Sequence, residues 1–280
     1  MSNELLLPED LKRKYEALKS VIKGCGSAAV AFSAGVDSTF LLKVAADVLP
    51  VEKVLAVTAR GVMIPRRESG EAEEFCRMAG IKHVTFEADV LAIDEFRQNV
   101  PERCYYCKKA IFSKIIETAK ENGIEYVLEG SNMDDEGDFR PGHKAVKELG
   151  VCSPLREAEL YKSEIRELSE YLGLKTARKP SYACLASRFV YNEEITAERL
   201  EMVDKAEQLL MDKGFGQLRV RIHGGNTARI EVLPGRIADI VSQRDEIVRK
   251  FREYGFSYIT LDLKGYRTGS MNEVLSRTEA

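Results

Sequence analysis

The sequence predicts an α/β protein: a parallel-sheet domain over residues 1–180 and a small α+β domain over residues 181–280. Three observations carry this expectation. Short apolar runs alternate with longer amphipathic stretches from residue 28 to residue 172, as strands joined by helical crossovers do. The first run ends in the small, hydroxyl-rich segment Ser33-Ala-Gly-Val-Asp-Ser38, after which a helical pattern begins. Beyond a long polar and basic connection, residues 173–194, the order changes to helix, strand, strand, helix, strand.

In chain order, residues 5–22 read as an amphipathic lead-in helix, 28–32 as a buried parallel strand and 39–48 as a helix. A strand at 54–58, a helix at 68–80, a strand at 83–87, a helix at 108–122 and a strand at 126–129 follow. The apolar piece 151–155 is expected to add a fifth strand, and 163–172 a helix. The second domain reads as a helix at 196–213, strands at 217–223 and 227–232, a helix at 236–254 and a strand at 257–263, with an antiparallel sheet expected. Ligands of open parallel sheets bind beyond the carboxyl ends of the strands. Ser33 to Ser38, Thr58 to Gly61 and Gly130, Ser131 and Asn132 all fall there.

Composition narrows the class. The 280 residues are 44% hydrophobic and 31% charged, with no apolar run long enough to span a bilayer. Residues 1–10 lack the basic-then-apolar pattern of a secretory signal, so the six cysteines are expected to be reduced thiols in the cytoplasm. A formal net charge of −3 argues against a dedicated nucleic-acid binder.

The 33–38 segment carries the first chemical signal. Small residues let the backbone curl, so that amide N–H groups, the Ser33 and Ser38 hydroxyls and the positive end of the following helix converge on an anion. Asp37 is out of place there unless a cation such as Mg²⁺ bridges it to phosphate. No Gly-Lys-[Ser/Thr] follows, and Gly24-Cys-Gly26 lacks the third glycine of a dinucleotide fingerprint. The segment resembles the PP-loop of ATP pyrophosphatases, Ser-Gly-Gly-x-Asp-Ser, with Ala34 in place of the first glycine. That resemblance implies that Ser33, Gly35, Val36, Asp37 and Ser38 bind the ATP phosphates, with Thr58, Gly130 and Ser131 lining the nucleotide end of the sheet.

Cys104-Tyr-Tyr-Cys107 is the second signal. Two sulfurs three residues apart can chelate one metal, but six cysteines give such a spacing by chance in roughly one chain of this length in eight. Cys184, in the polar connection, makes a third; three thiols and an open position suit a [4Fe–4S] cluster. Cys25, Cys76 and Cys152 lie on apolar runs or helical faces and read as packing residues.

Together, Ser33 to Ser38, Cys104-Tyr-Tyr-Cys-Lys-Lys109, Glu129-Gly-Ser-Asn-Met-Asp-Asp-Glu-Gly-Asp-Phe-Arg-Pro-Gly142, Ser187-Arg188 and Arg219-Val-Arg221-Ile-His resemble the LarE family, from the first strand to Asn272. These ATP-dependent sulfur transferases act in nickel-pincer nucleotide cofactor synthesis. The resemblance implies adenylation of a carboxylate of pyridinium-3,5-biscarboxylic acid mononucleotide and its conversion to a thiocarboxylate. Single-cysteine members sacrifice a cysteine sulfur; Cys104, Cys107 and Cys184 place this chain closer to the three-cysteine, cluster-binding branch. Cys184 then either helps ligate the cluster or donates its own sulfur as a thiolate, its pKa lowered by Lys179 and Arg188. Arg219 and Arg221, at i and i+2 on one strand face, are expected to hold the substrate phosphate. Glu207 and Asp239 carry over as site or interface residues, and a homo-oligomer is expected. Asp134, Asp135, Glu136 and Asp138 read either as a Mg²⁺-binding or cysteine-positioning run or as a solvated turn, with Arg140 as a partner.

Competing readings are a tRNA-thiolating PP-loop enzyme, an amide-forming synthetase and a non-enzymatic nucleotide or iron–sulfur module. The acidic balance and the lack of a second Cys-x-x-Cys weigh against the first. The three cysteines weigh against the second, and Asp37 against the third.

Overall fold

A computed structural model describes residues 7–68, 70–135, 141–180, 184–267 and 270–271. Its helices and strands run α1 (Glu9–Cys25), β1 (Ala28–Ala31), α2 (Val36–Val48), β2 (Val54–Arg60), α3 (Glu71–Ala79) and β3 (Lys82–Glu87). Next come α4 (Asp94–Arg97), α5 (Arg103–Glu121), β4 (Tyr126–Leu128), α6 (Gly142–Glu148), α7 (Pro154–Glu157) and α8 (Lys162–Tyr171). The chain continues with α9 (Ala197–Asp212), β5 (Leu218–His223), β6 (Thr227–Val232), α10 (Ile237–Ser242), α11 (Arg244–Glu253) and β7 (Tyr258–Leu261). Contacts group it into two units: Met1–Arg60 with Arg67–Ala88 and Cys104–Tyr182, and Gly61–Arg66 with Asp89–Arg103 and Ala183–Ala280.

The first unit holds a fully parallel sheet in the order β3-β2-β1-β4. Alternation along the strands splits the core in two. Ala28, Val30, Val54 and Ala56 point to one face, packed by α1, α2 and α8. Ala29, Leu55 and Val57 point to the other, packed by Phe112, Ile115 and Ala119 of α5. On α1 the stripe Leu11, Tyr15, Leu18, Ile22 is buried at helical spacing, and the Tyr15 ring lies 6.2 Å from that of Phe40. Phe40 is fully buried on α2, which contributes roughly 1.5–3 kcal/mol. The chain moves outward from β1 to β2 and β3, then returns to the far side of β1 as β4. The strand order therefore reverses between β1 and β4, where such sheets bind ligands.

Two expectations for this unit need correction. Residues 151–155 form no fifth strand: Cys152 makes a single parallel bridge to Leu128, and Pro154 opens α7. Proline cannot donate to a ladder but suits a first helical turn, and the segment follows that chemistry. The helix expected at 108–122 begins earlier, at Arg103, so Cys104 and Cys107 lie on its opening turns rather than before it.

The second unit holds a three-stranded sheet in the order β5-β6-β7. β5 and β6 are antiparallel across a tight turn in which Gly225 and Asn226 have φ of 65° and 57°. β7 is parallel to β6, so the sheet is mixed, not antiparallel as expected. The β6–β7 connection runs through α10 and α11, and a helical crossover returns a strand in the parallel sense. The single helix expected at 236–254 is interrupted at Gln243. Leu200, Val203, Ala206 and Leu210 of α9 and Leu218, Val220 and Ile222 of β5 are all buried in this unit.

Candidate active site

In the first unit the chain leaves β1 at Phe32 and turns through a loop whose hydrogen bonds are largely internal. The Ser33 and Ser38 hydroxyl oxygens lie 3.0 Å apart. The Ser33 N–H donates to Ser38 Oγ (3.3 Å), and the Gly35 N–H donates to Ser33 Oγ (3.4 Å). Ala34 is left-handed, at φ 54°, where a side chain costs roughly 1–2 kcal/mol. Its methyl is buried in the core, which offsets part of that cost. Gly35 precedes α2 without a capping side chain, so the amides of the first helical turn point toward the loop with their partial positive charge.

Asp37, in that turn, is bracketed by two segments, the start of α8 and the chain after β4. The Lys162 ammonium, at the start of α8, pairs with its Oδ2. Asn132 Nδ2 donates to its Oδ1 (3.4 Å). The chain after β4 runs directly against it: a Cβ added to Gly130 would sit 3.1 Å from Asp37 Cβ and 3.3 Å from the Ser38 nitrogen. Glycine is favoured there by close approach, not by conformation. Burial pushes the Asp37 carboxyl above its ordinary pKa, against the pull of Lys162.

The acidic run divides. Asp135 accepts the Asn132 N–H (3.0 Å), and Asp134 accepts the backbone N–H of Lys162 (2.6 Å), so both carboxylates build the turn that presents Asn132. Glu136, Asp138 and Arg140 lie outside the described residues. Thr58, at the end of β2, donates to the Phe32 carbonyl (2.7 Å) and accepts from His83 Nε2 (2.8 Å). Burial pulls His83 below its ordinary pKa. Thr58 thus braces β1 against β2 at the mouth of the loop. Sequence reasoning assigned no role to Glu129, a buried carboxylate at the tip of β4. It accepts from Ser131 Oγ (2.7 Å) and Ser153 Oγ (2.5 Å), with Lys108 Nζ at 4.0 Å. Ser131 therefore serves this cluster.

Cys104 is exposed and Cys107 half-buried on α5 of the first unit; Cys184 is exposed and belongs to the second. Among the described residues no group of three His, Cys, Asp or Glu side chains is gathered as a metal site. Cys25, Cys76 and Cys152 pack against the core, and burial raises all three thiols, Cys76 to about 12, so they stay protonated at neutral pH. Lys179 donates to the Ala34 carbonyl (3.1 Å) and pairs with Glu71.

In the second unit Arg188 is fully buried and grips Glu207, also fully buried, by two bonds of 2.9 and 2.8 Å. Arg188 also donates to the Cys184 carbonyl (3.1 Å), fixing the turn that Cys184 opens. Glu207 accepts the Val220 N–H as well (3.0 Å). Burial opposes charge on both partners, yet each other's charge and hydrogen bonds outweigh it: Glu207 is held below the usual carboxylate range and Arg188 above its own. Arg221 is gripped by Glu231 (3.0 and 3.0 Å) and donates to the Ser187 carbonyl (2.7 Å) and Ser270 Oγ (2.7 Å). Arg219 stacks on Tyr266 (5.2 Å), and burial, with Arg188 nearby, pulls its pKa down. Asp239 lies at the surface, paired with Arg236.

The parallel sheet with this loop at its switch point is the PP-loop fold, and the chain is an enzyme of that class. No family model matches the chain. It is 40% identical over 269 residues to an uncharacterized protein of Synechocystis sp., spanning 95% of this chain and 100% of that one. It is 37% identical over 269 residues to pyridinium-3,5-bisthiocarboxylic acid mononucleotide synthase of Lactiplantibacillus plantarum, spanning 96% of this chain and 97% of that protein. A more distant likeness, 30% over 208 residues, is to a glutamine-hydrolyzing GMP synthase polypeptide of Archaeoglobus fulgidus, with 67% of this chain and 65% of that polypeptide covered. The chain belongs to the LarE family. No helix among the described residues is long and apolar enough to cross a membrane.

Proposed function

We propose that the protein is an ATP-dependent sulfur transferase that converts a carboxylate of pyridinium-3,5-biscarboxylic acid mononucleotide to a thiocarboxylate, for nickel-pincer cofactor synthesis. The observation that supports this reading best is 37% identity to the Lactiplantibacillus plantarum synthase over 97% of that protein, combined with the Ser33–Ser38 loop.

A carboxylate accepts sulfur poorly because hydroxide leaves poorly. Attack of a carboxylate oxygen on the α-phosphorus of ATP forms an acyl-adenylate and releases pyrophosphate. A sulfur nucleophile then attacks the acyl carbon, and AMP departs with the bonding pair. In this reading the loop amides and the hydroxyls of Ser33 and Ser38 bind phosphate, and Asp37, released from Lys162, holds Mg²⁺. Thr58, Gly130 and Ser131 keep the nucleotide end of the sheet in shape. Arg219 holds the phosphate of the mononucleotide; Arg221, committed to Glu231, orders the strand beneath it.

The donor set of Cys104, Cys107 and Cys184 fits a [4Fe–4S] cluster in number and type, with two thiols at i and i+3 on one helix. When bound, such a cluster supplies an iron at which exogenous hydrosulfide can be held. The alternative source of sulfur is Cys184 itself. A tRNA-thiolating activity is the second reading; no observation in the structure favours it. Iron and sulfide analysis after anaerobic purification, with pyrophosphate release measured with and without the mononucleotide, tests the proposal. Release that ignores the mononucleotide counts against it.

A further inference from the structure

We propose that Lys179 is a positioning residue for the anion loop, holding the Ala34 carbonyl and so preforming the left-handed turn before any nucleotide arrives. This rests on reading the loop as the nucleotide site. Three observations carry it. Ala34 occupies a conformation that glycine enters readily and an L-residue resists, so something must hold it there. The Lys179 ammonium donates to its carbonyl at 3.1 Å from a side chain that is mostly buried. Lys179 is itself fixed: one guanidinium, that of Arg166 on α8, donates to the carbonyls of both Ala177 and Lys179 (2.8 Å for the latter).

The brace thus runs from α8 through a clamped backbone to one peptide of the loop. Turning the Ala34 carbonyl toward Lys179 turns the N–H of the same peptide, that of Gly35, the opposite way, toward Ser33 Oγ. A peptide held so keeps its N–H pointing into the loop beside Ser33 Oγ, so an arriving anion has only to replace that long bond rather than turn the peptide. Relatives with glycine at this position would need the brace less, because their loop enters the turn without strain.

Hydrogen–deuterium exchange of the nucleotide-free protein, read on peptides covering residues 30–40, tests the brace without relying on catalysis. Lys179→Met should speed exchange there roughly tenfold and weaken Mg²⁺–ATP binding, by calorimetry, about as much. Lys179→Arg should restore both, and Arg166→Met should reproduce the exchange change. Glu71→Gln, which removes only the charge partner of Lys179, should leave the loop as in the wild type. Unchanged loop exchange in Lys179→Met, or a Glu71→Gln variant that matches it, overturns the proposal. Wild-type protein that binds no ATP instead overturns the nucleotide reading, while the exchange result still decides the brace.

Discussion

Lys162 rests its ammonium on the carboxylate of Asp37, tying the first residue of α8 to the first turn of α2. The pair places a cation where the proposed mechanism needs Mg²⁺. It compensates a carboxylate that burial makes unfavourable, and does so incompletely, because the Asp37 pKa remains raised.

A first prediction follows from the sign of that shift. A carboxyl whose folded pKa lies above its unfolded value lends stability below the ordinary carboxylate range and loses it as pH rises. Asp37→Asn, a mimic of the protonated form, should therefore unfold at higher denaturant than wild type at pH 7. The gap should close as pH falls toward about 4. The same variant should release no pyrophosphate. Equal midpoints at pH 7 would contradict the shift.

The Arg188–Glu207 pair should behave as a buried ion pair. Arg188→Met removes the two-bonded counter-ion of a buried carboxylate that also feels Arg219, and should cost about 3 kcal/mol in unfolding free energy. Arg188→Met with Glu207→Met should recover most of this, short of about 1 kcal/mol for the lost Val220 bond. No recovery in the double variant would show that the two residues act independently.

Arg219 and Arg221 should separate. Arg221→Ala leaves the buried Glu231 to Arg229 and Ser270 and releases the Ser187 carbonyl, so its main effect should be lower stability of the second unit, by about 1.5–3 kcal/mol. Arg219→Ala should weaken mononucleotide binding tenfold or more with little change in ATP affinity. Calorimetry with each ligand decides this, and equal losses for both would remove Arg219 from phosphate recognition.

The cysteines should divide into two classes. Alanine at Cys104, Cys107 or Cys184 should abolish both iron content and multiple turnover. Alanine at Cys25 or Cys152 should leave iron content unchanged. A Cys104→Ala protein that remains active, with Cys184 lighter by one H₂S after reaction, would make Cys184 the sulfur donor.

Much of the fold could be read from the chain because strand alternation and loop chemistry are local. Ala28 to Ser38 announces strand, loop and helix within eleven residues, and the structure keeps that order. What escaped was set by distant partners. The α5 helix includes Cys104-Tyr-Tyr-Cys107, weak helix formers that local propensity left outside it. The short helices α4 and α6 carry too few residues for a periodic signal. The parallel β7 could have been inferred from the long helical crossover before it. The sequence offers Arg221 as a phosphate ligand because nothing nearby in it reveals Glu231, ten residues away across the hairpin, as a partner. The bonds of Lys179 to Ala34 and of Glu129 to Ser153 left no mark in the sequence, since only the folded sheet brings those partners near.

The most direct test of sulfur transfer is mass spectrometry of the mononucleotide after anaerobic incubation with reconstituted protein, Mg²⁺–ATP and isotopically labelled sulfide. The expected product carries labelled sulfur in place of one carboxylate oxygen, with one AMP and one pyrophosphate formed per sulfur incorporated. A mononucleotide of unchanged mass, or ATP consumed without sulfur incorporation, would contradict the proposed sulfur transfer.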